Sequence, residues 1–260
     1  MEIFRAIKAL FSVFTIFHID IDQDDFYSFS RNFWITPLIG VLFGGLASTS
    51  LLLFNILFTS YISATVTLIL IHTINRFMHV DGLTDFGDGL LRIGSREERF
   101  KAMKDTRVGA GGVTLLLLIT VLTISLYSSV SKELTFIPFI TEILSRGSMV
   151  ACAGYGLPYK NGLGSRIVKF TKLYDYVKAA VLMLILTLTI YPICLSKFTL
   201  LEYITSIMIL IVISFLGGVI IGYLALNSVG YVTGDVLGAA NELSRVVILL
   251  FSLKIFTWIS

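Results

Sequence analysis

Residues 203–225 read YITSIMILIVISFLGGVIIGYLA, 23 positions without a charged side chain. A helix rises about 1.5 Å per residue, so this stretch alone crosses the roughly 30 Å hydrocarbon core of a bilayer. Comparable apolar runs lie near residues 33–58, 62–78, 113–130, 135–156, 176–196 and 244–259. The expectation is an all-α, polytopic integral membrane bundle of about seven transmembrane helices, forming a single membrane-embedded domain over residues 1–260. The fourth run carries Glu142, Ser145 and Arg146 and the last is short, which leaves a count of six or eight open.

Composition points the same way. Of the 260 residues 56% are hydrophobic and 14% charged, with a mean hydropathy of +0.89, which argues against a water-soluble fold. A net charge of +3 is too small to suggest nucleic acid as a partner; the partner is the lipid bilayer. Cys152 and Cys194 lack CxxC spacing, so neither a disulfide framework nor a zinc site is expected. Residues 9–17 are apolar, but His18-Ile19-Asp20-Ile21-Asp22 offers no small-residue cleavage site, and no cleaved signal is expected. Phe4, Ile7, Leu10, Phe11 and Phe14 recur at helical spacing, as in an amphipathic helix lying at the membrane interface.

Residues 92–107 hold six basic side chains and residues 157–178 hold five, whereas the turns near Ser60, Lys132 and Lys197 hold at most one each. Positive charge marks the cytoplasmic side, and counting spans from these loops puts residues 227–242 and the N-terminus on that side too. Gly40-x-x-x-Gly44 and Gly218-x-x-x-Gly222 fit close helix packing in lipid.

Within this frame, His79-Val-Asp81-Gly-Leu-Thr-Asp85-Phe-Gly-Asp88-Gly89 places carboxylates at i, i+4 and i+7, one face of a helix if the second span continues through them. At about 6 Å and an effective dielectric near 20, each ionised pair repels by roughly 3 kcal/mol, so the cluster needs a cation or a proton. Oxygen ligands of this kind select magnesium, manganese or calcium. His72, Asn75, Arg76 and His79 extend a polar stripe from the acids back toward the bilayer.

A second cluster, Lys104-Asp105-Thr-Arg107-Val-Gly109-Ala-Gly-Gly112, brings cations and backbone N–H groups that suit a phosphate. A third, Thr233-Gly234-Asp235-Val-Leu-Gly238-Ala-Ala-Asn241-Glu242, places Asp235 and Glu242 on one helical face. If that face meets the Asp81 face, Asp81, Asp85, Asp88, Asp235 and Glu242 hold two divalent ions around a diphosphate. An acid or His79 then takes the proton of an attacking alcohol. Ser145 and Arg146 are candidate phosphate partners; Arg166 and Lys169 are also candidates, but membrane orientation explains them better.

These residues resemble the cobalamin synthase, or adenosylcobinamide-GDP ribazoletransferase, family. Its His-x-Asp-Gly-x-x-Asp-x-x-Asp-Gly pattern is matched by His79, Asp81, Gly82, Asp85, Asp88 and Gly89, and its Asp-x-Arg-x-Gly by Asp105, Arg107 and Gly109. A late Thr-Gly-Asp-x-Leu-Gly-Ala-x-x-Glu is matched from Thr233 through Asn241 to Glu242, and Ser145-Arg146 and Pro37-Leu-Ile-Gly40 are also familiar. Members often show Phe-Thr-Arg-x-Pro where this chain reads Phe14-Thr15-Ile16-Phe17-His18. The resemblance implies transfer of the cobinamide phosphate from adenosylcobinamide-GDP to the ribose 3′-hydroxyl of α-ribazole or its 5′-phosphate. GMP is released, Mg2+ (or Mn2+) is the cofactor, and the site faces the cytoplasm from the cell membrane. The implied roles are catalytic for His79, Asp81, Asp85, Asp88, Asp105 and Arg107, and substrate-binding for Arg76, Ser145, Arg146, Thr233 and Asn241. Assembly as a homo-oligomer stays open.

Two other readings fit less well. A CDP-alcohol phosphotransferase or aspartate-rich prenyltransferase expects Ala-Arg after Asp81-Gly82 or a paired Asp-x-x-x-Asp later, where this chain has Leu83-Thr84 and Asp235 with Glu242. A cation transporter expects midplane acids and internal repeats, whereas these acids sit at one edge.

Overall fold

The computed structural model describes residues 1–160, 162–194 and 197–259. Among these residues the only β interaction is an isolated bridge between Pro158 and Val232. The helices are α1 (Glu2–Phe14), α2 (Gln23–Arg31), α3 (Pro37–Leu57), α4 (Ser60–Ile74), α5 (Met78–Leu91), α6 (Arg96–Met103) and α7 (Ala110–Ser128). They continue with α8 (Ile137–Tyr155), α9 (Leu163–Phe170), α10 (Leu173–Leu188), α11 (Tyr191–Cys194), α12 (Leu200–Ser228) and α13 (Gly234–Ile259).

The bundle is built around α8, whose residues 137–153 are all buried by α3, α12 and α13. Close approach explains the glycines: a side-chain carbon at Gly40 would lie 2.6 Å from the Glu142 carbonyl, and one at Gly218 would strike that of Ser148. Leu53 and Ile56 of α3, Leu117 and Leu118 of α7, and Val212 and Leu216 of α12 point outward. Such apolar outer faces suit lipid and would be a liability in water.

Among the described residues four segments are long and apolar enough to cross a membrane: Phe33–Leu57, α7, α12 and α13. The other expected spans fall short for physical reasons. α8 carries Glu142 and Arg146, which protein shields from lipid, while α4 and α10 end after 15 and 16 residues. Residues 195 and 196 of the expected fifth span lie outside the described residues.

The amphipathic N-terminal helix forms, but its buried face is Ala6, Ala9, Leu10 and Phe14, leaving Phe4 74% exposed. The reason is docking: α1 packs on α2 through Arg5–Asp24 (3.0 Å) and Lys8–Asp25 (2.9 Å).

The polar segments collect at one end of the bundle. Phe100 of α6 stacks with Tyr159 and Tyr231, Arg96 donates to the Asn227 carbonyl, and the Val232 N–H donates to Leu157. The turns at Ser60 and Lys132 share a groove at the opposite end.

Candidate active site

The second apolar run does not continue through the acids. α4 stops at Ile74, Arg76 and Phe77 take left-handed backbone (φ 53° and 56°), and α5 starts afresh at Met78. Neither residue is glycine, so the break needs support from its surroundings. The end of α1 supplies it. Asn75 Nδ2 donates to the Phe14 carbonyl (2.9 Å), and the Arg76 guanidinium donates to those of Ser12 and Val13 (3.3 and 3.0 Å). Asn75 Oδ1 accepts the His79 N–H at 3.3 Å. The expected continuous stripe from His72 to His79 is therefore interrupted, and Arg76 is occupied in holding α1.

α5 itself carries the three acids on one face, with Asp81 exposed and Asp85 and Asp88 half-buried. This face meets the start of α13. A side-chain carbon at Gly82 would lie 2.7 Å from the Asp235 carbonyl oxygen, so the two helices touch backbone to backbone. One turn further along α13, Gly238 passes His79 in the same way. Asp235 accepts from the Thr233 hydroxyl (3.1 Å) and pairs with Lys104. Burial, then the charges of Asp235 and Asp81, raise the Asp85 carboxyl from 3.8 to about 6.

Asp88 has a further role. Its oxygens accept the N–H groups of Gly109 (2.7 Å) and Gly112 (2.8 Å), capping the start of α7. Those two N–H groups, expected to cradle a phosphate, are thus already taken. Arg107 grips Asp105 through Nε and Nη2 at 3.2 and 3.1 Å, and both border an open cleft of about 460 Å³ beside Asp88.

His79, Ser145, Arg146, Asn241 and Glu242 lie elsewhere, in a buried polar cluster between α5, α8 and α13. Arg146 Nη1 lies 2.8 Å from His79 Nδ1. Arginine can only donate, so that nitrogen is the acceptor and the imidazole is neutral. Its lone pair is spent on Arg146 and is not free to receive a proton from an alcohol at the acidic face. Arg146 also lies against the Phe14 and Phe43 rings and 3.6 Å from Glu142. Ser145 donates to the Glu142 carbonyl, and Asn241 donates to Glu242.

Glu242 pairs with Arg245, which also donates to Glu142 at 2.6 Å; Tyr127 completes the cluster with a 3.1 Å bond to Glu142. Glu242 is seven residues beyond Asp235, about 10 Å deeper along the helix. The structure therefore joins Asp81, Asp85 and Asp235 but sets Glu242 apart, because Arg245 has claimed its charge. Arg245 and Glu142 were not among the expected site residues. The available signal was Arg245 three residues after Glu242 and Glu142 four before Arg146, each a spacing for ion pairs on one helix.

Among the described residues no three His, Cys, Asp or Glu side chains form a ready-made metal cage. Magnesium needs no such cage, since it commonly uses one or two carboxylates and completes its shell with water and substrate phosphates. The donors fit a hard divalent ion: the Asp81–Asp85–Asp235 face offers oxygens only, and the Asp85 carboxyl is raised by burial first and then by the neighbouring charges of Asp235 and Asp81.

The profile of the cobalamin-5-phosphate synthase family matches residues 6–253. An adenosylcobinamide-GDP ribazoletransferase from Caldanaerobacter subterraneus subsp. tengcongensis is 30% identical over 237 residues, covering 90% of each chain. A protein of the same name from Methanococcoides burtonii is 25% identical over 260 residues, covering 94% of this chain and 90% of its own. No solved structure matches. With the matched profile spanning all three acidic and glycine-rich clusters, this chain belongs to the cobalamin-5-phosphate synthase family.

Proposed function

We propose that this chain transfers the cobinamide phosphate of adenosylcobinamide-GDP to the ribose 3′-hydroxyl of α-ribazole or of its 5′-phosphate, with release of GMP, and that it depends on Mg2+, for which Mn2+ can substitute. Family membership and the activity named for its relatives support the reaction class. The observation that carries the site is the meeting of α5 and α13, where Gly82 lets Asp235 approach Asp85 and Asp81.

The acceptor oxygen forms a bond to the cobinamide-side phosphorus while the bond from that phosphorus to the bridging oxygen breaks, and the electron pair leaves with GMP. Asp81 and Asp235 would hold the magnesium ion, which would supply charge neutralisation for the diphosphate. Asp85 takes the acceptor proton; it is half-buried, and burial, the largest cause of its raised carboxyl, gives it more proton affinity than an exposed carboxylate. Lys104, paired with Asp235, and Arg107, exposed at the cleft rim, are placed to meet phosphate oxygens. Asp88 holds the glycine loop on α5, and His79 with Arg146 fixes the packing of α5 on α8. This end of the bundle faces the cytoplasm, because the two basic loops lie there.

The test is GMP release by membranes containing the parent or the Asp81→Asn and Asp85→Asn variants, given adenosylcobinamide-GDP and α-ribazole with and without Mg2+. The expected result is metal-dependent turnover in the parent and a loss of at least about a hundredfold in each variant. Full turnover in both variants contradicts the site, and no product from folded parent contradicts the substrate.

A further inference from the structure

A second, larger cleft of about 730 Å³ opens at the same end of the bundle, between α2 and α9. Lys160, Arg166 and Lys169 line it, and among the described residues none of the three side chains makes an ion pair or a hydrogen bond. Their neighbours differ. Lys104, Arg107, Lys101 and Lys178 each have a carboxylate partner, and Asp24, the one acid in the lining, is held by Arg5 at 3.0 Å. Three cations without counterions therefore face one cavity. Arg166 and Lys169, three apart on α9, project from the same side of that helix.

Two more features suit a nucleoside-like phosphate. Tyr27 and Phe170 meet edge to face at 5.4 Å in the wall, giving an aromatic surface beside the cations. The start of α9 also lies on the start of α13: a side-chain carbon at Gly164 would strike the Gly234 backbone, one residue from Asp235. The basic cleft and the acidic face thus flank the contact between Gly164 and Gly234. Their charges divide the work, since the carboxylates repel any phosphate that lacks a metal ion, whereas unpaired lysine and arginine attract one directly.

We infer that the α2–α9 cleft binds the phosphate monoester of the phosphorylated acceptor, leaving the acidic face to the diphosphate donor. The inference rests on the transfer reaction proposed above and names the subsite that distinguishes α-ribazole 5′-phosphate from α-ribazole. At neutral pH such a monoester carries close to two negative charges, and each charged hydrogen bond is worth roughly tenfold in affinity. An anionic lipid headgroup presents the same phosphate chemistry and is the competing source.

The experiment measures KM for both acceptors at saturating donor, using parent, Arg166→Gln/Lys169→Gln and the charge-keeping Arg166→Lys/Lys169→Arg, each in vesicles with and without anionic lipid. The expected result is that the parent's preference for the phosphorylated acceptor falls at least tenfold in the glutamine variant and returns in the charge-keeping one, whatever the lipid. An unchanged preference, an equal rise of KM for both acceptors, or a loss confined to dependence on anionic lipid overturns the subsite. If the parent turns over neither acceptor, the transfer reaction itself fails. Equilibrium binding of α-ribazole 5′-phosphate to the same proteins then decides the subsite: weaker binding by the glutamine variant supports it, and equal binding overturns it.

Discussion

In the proposed reaction Asp85 is the residue on which the chemistry turns. With no cation bound its carboxyl is raised to about 6 by burial and then by Asp235 and Asp81. A base must be unprotonated to act, and the cation proposed on Asp81 and Asp235 would lower this value, so kcat/KM should rise with pH along an acidic limb at or below about 6 and level off above it. Asp85→Asn should remove that limb and leave a low rate that no longer depends on pH there, measured as GMP release across pH 5 to 8. Retention of the limb in the variant would assign the titration to another group. The spacing of Asp81, Asp85 and Asp88 made this face legible in the sequence, because a helix repeats every 3.6 residues. The neutral state of His79 was not legible, since it depends on Arg146, 67 positions away.

At the scale of elements, the site depends on how α5, α8 and α13 are pinned together. Arg245 of α13 donates to Glu142 of α8 and pairs with Glu242, so one guanidinium serves two buried carboxylates. Removing one member of such a group leaves the others uncompensated, at a cost of roughly 3 to 5 kcal/mol. Arg245→Met should therefore lower the unfolding free energy by about that amount, read from denaturant unfolding in detergent, and a change below 1 kcal/mol would show that the cluster is not what fixes α13. The break between α4 and α5 belongs to this scale too. Sequence periodicity gave no sign of it, because Arg76 and Phe77 are held in left-handed backbone by carbonyls of α1 more than 60 positions earlier.

For the whole molecule, the sequence made the membrane bundle plain and the role of α8 obscure. Apolar runs of bilayer length identify α3, α7, α12 and α13, whereas α8 carries polar residues that only a fully enclosed helix tolerates. The proposed sidedness rests on the basic loops and can be checked with Thr106→Cys in the loop before α7, because native Cys152 and Cys194 are both buried. A membrane-impermeant maleimide should label inside-out vesicles and spare right-side-out ones; the reverse pattern would invert the topology.

The central claim is that carboxylates from α5 and α13, far apart in sequence, act as one metal site. Mn2+ binding, followed by electron paramagnetic resonance in the presence of adenosylcobinamide-GDP, tests it most directly. Binding at least tenfold weaker in both Asp81→Asn and Asp235→Asn, with Glu202→Gln at the opposite end of α12 unchanged, is the predicted result. Parent-like Mn2+ affinity in either aspartate variant would contradict the shared site.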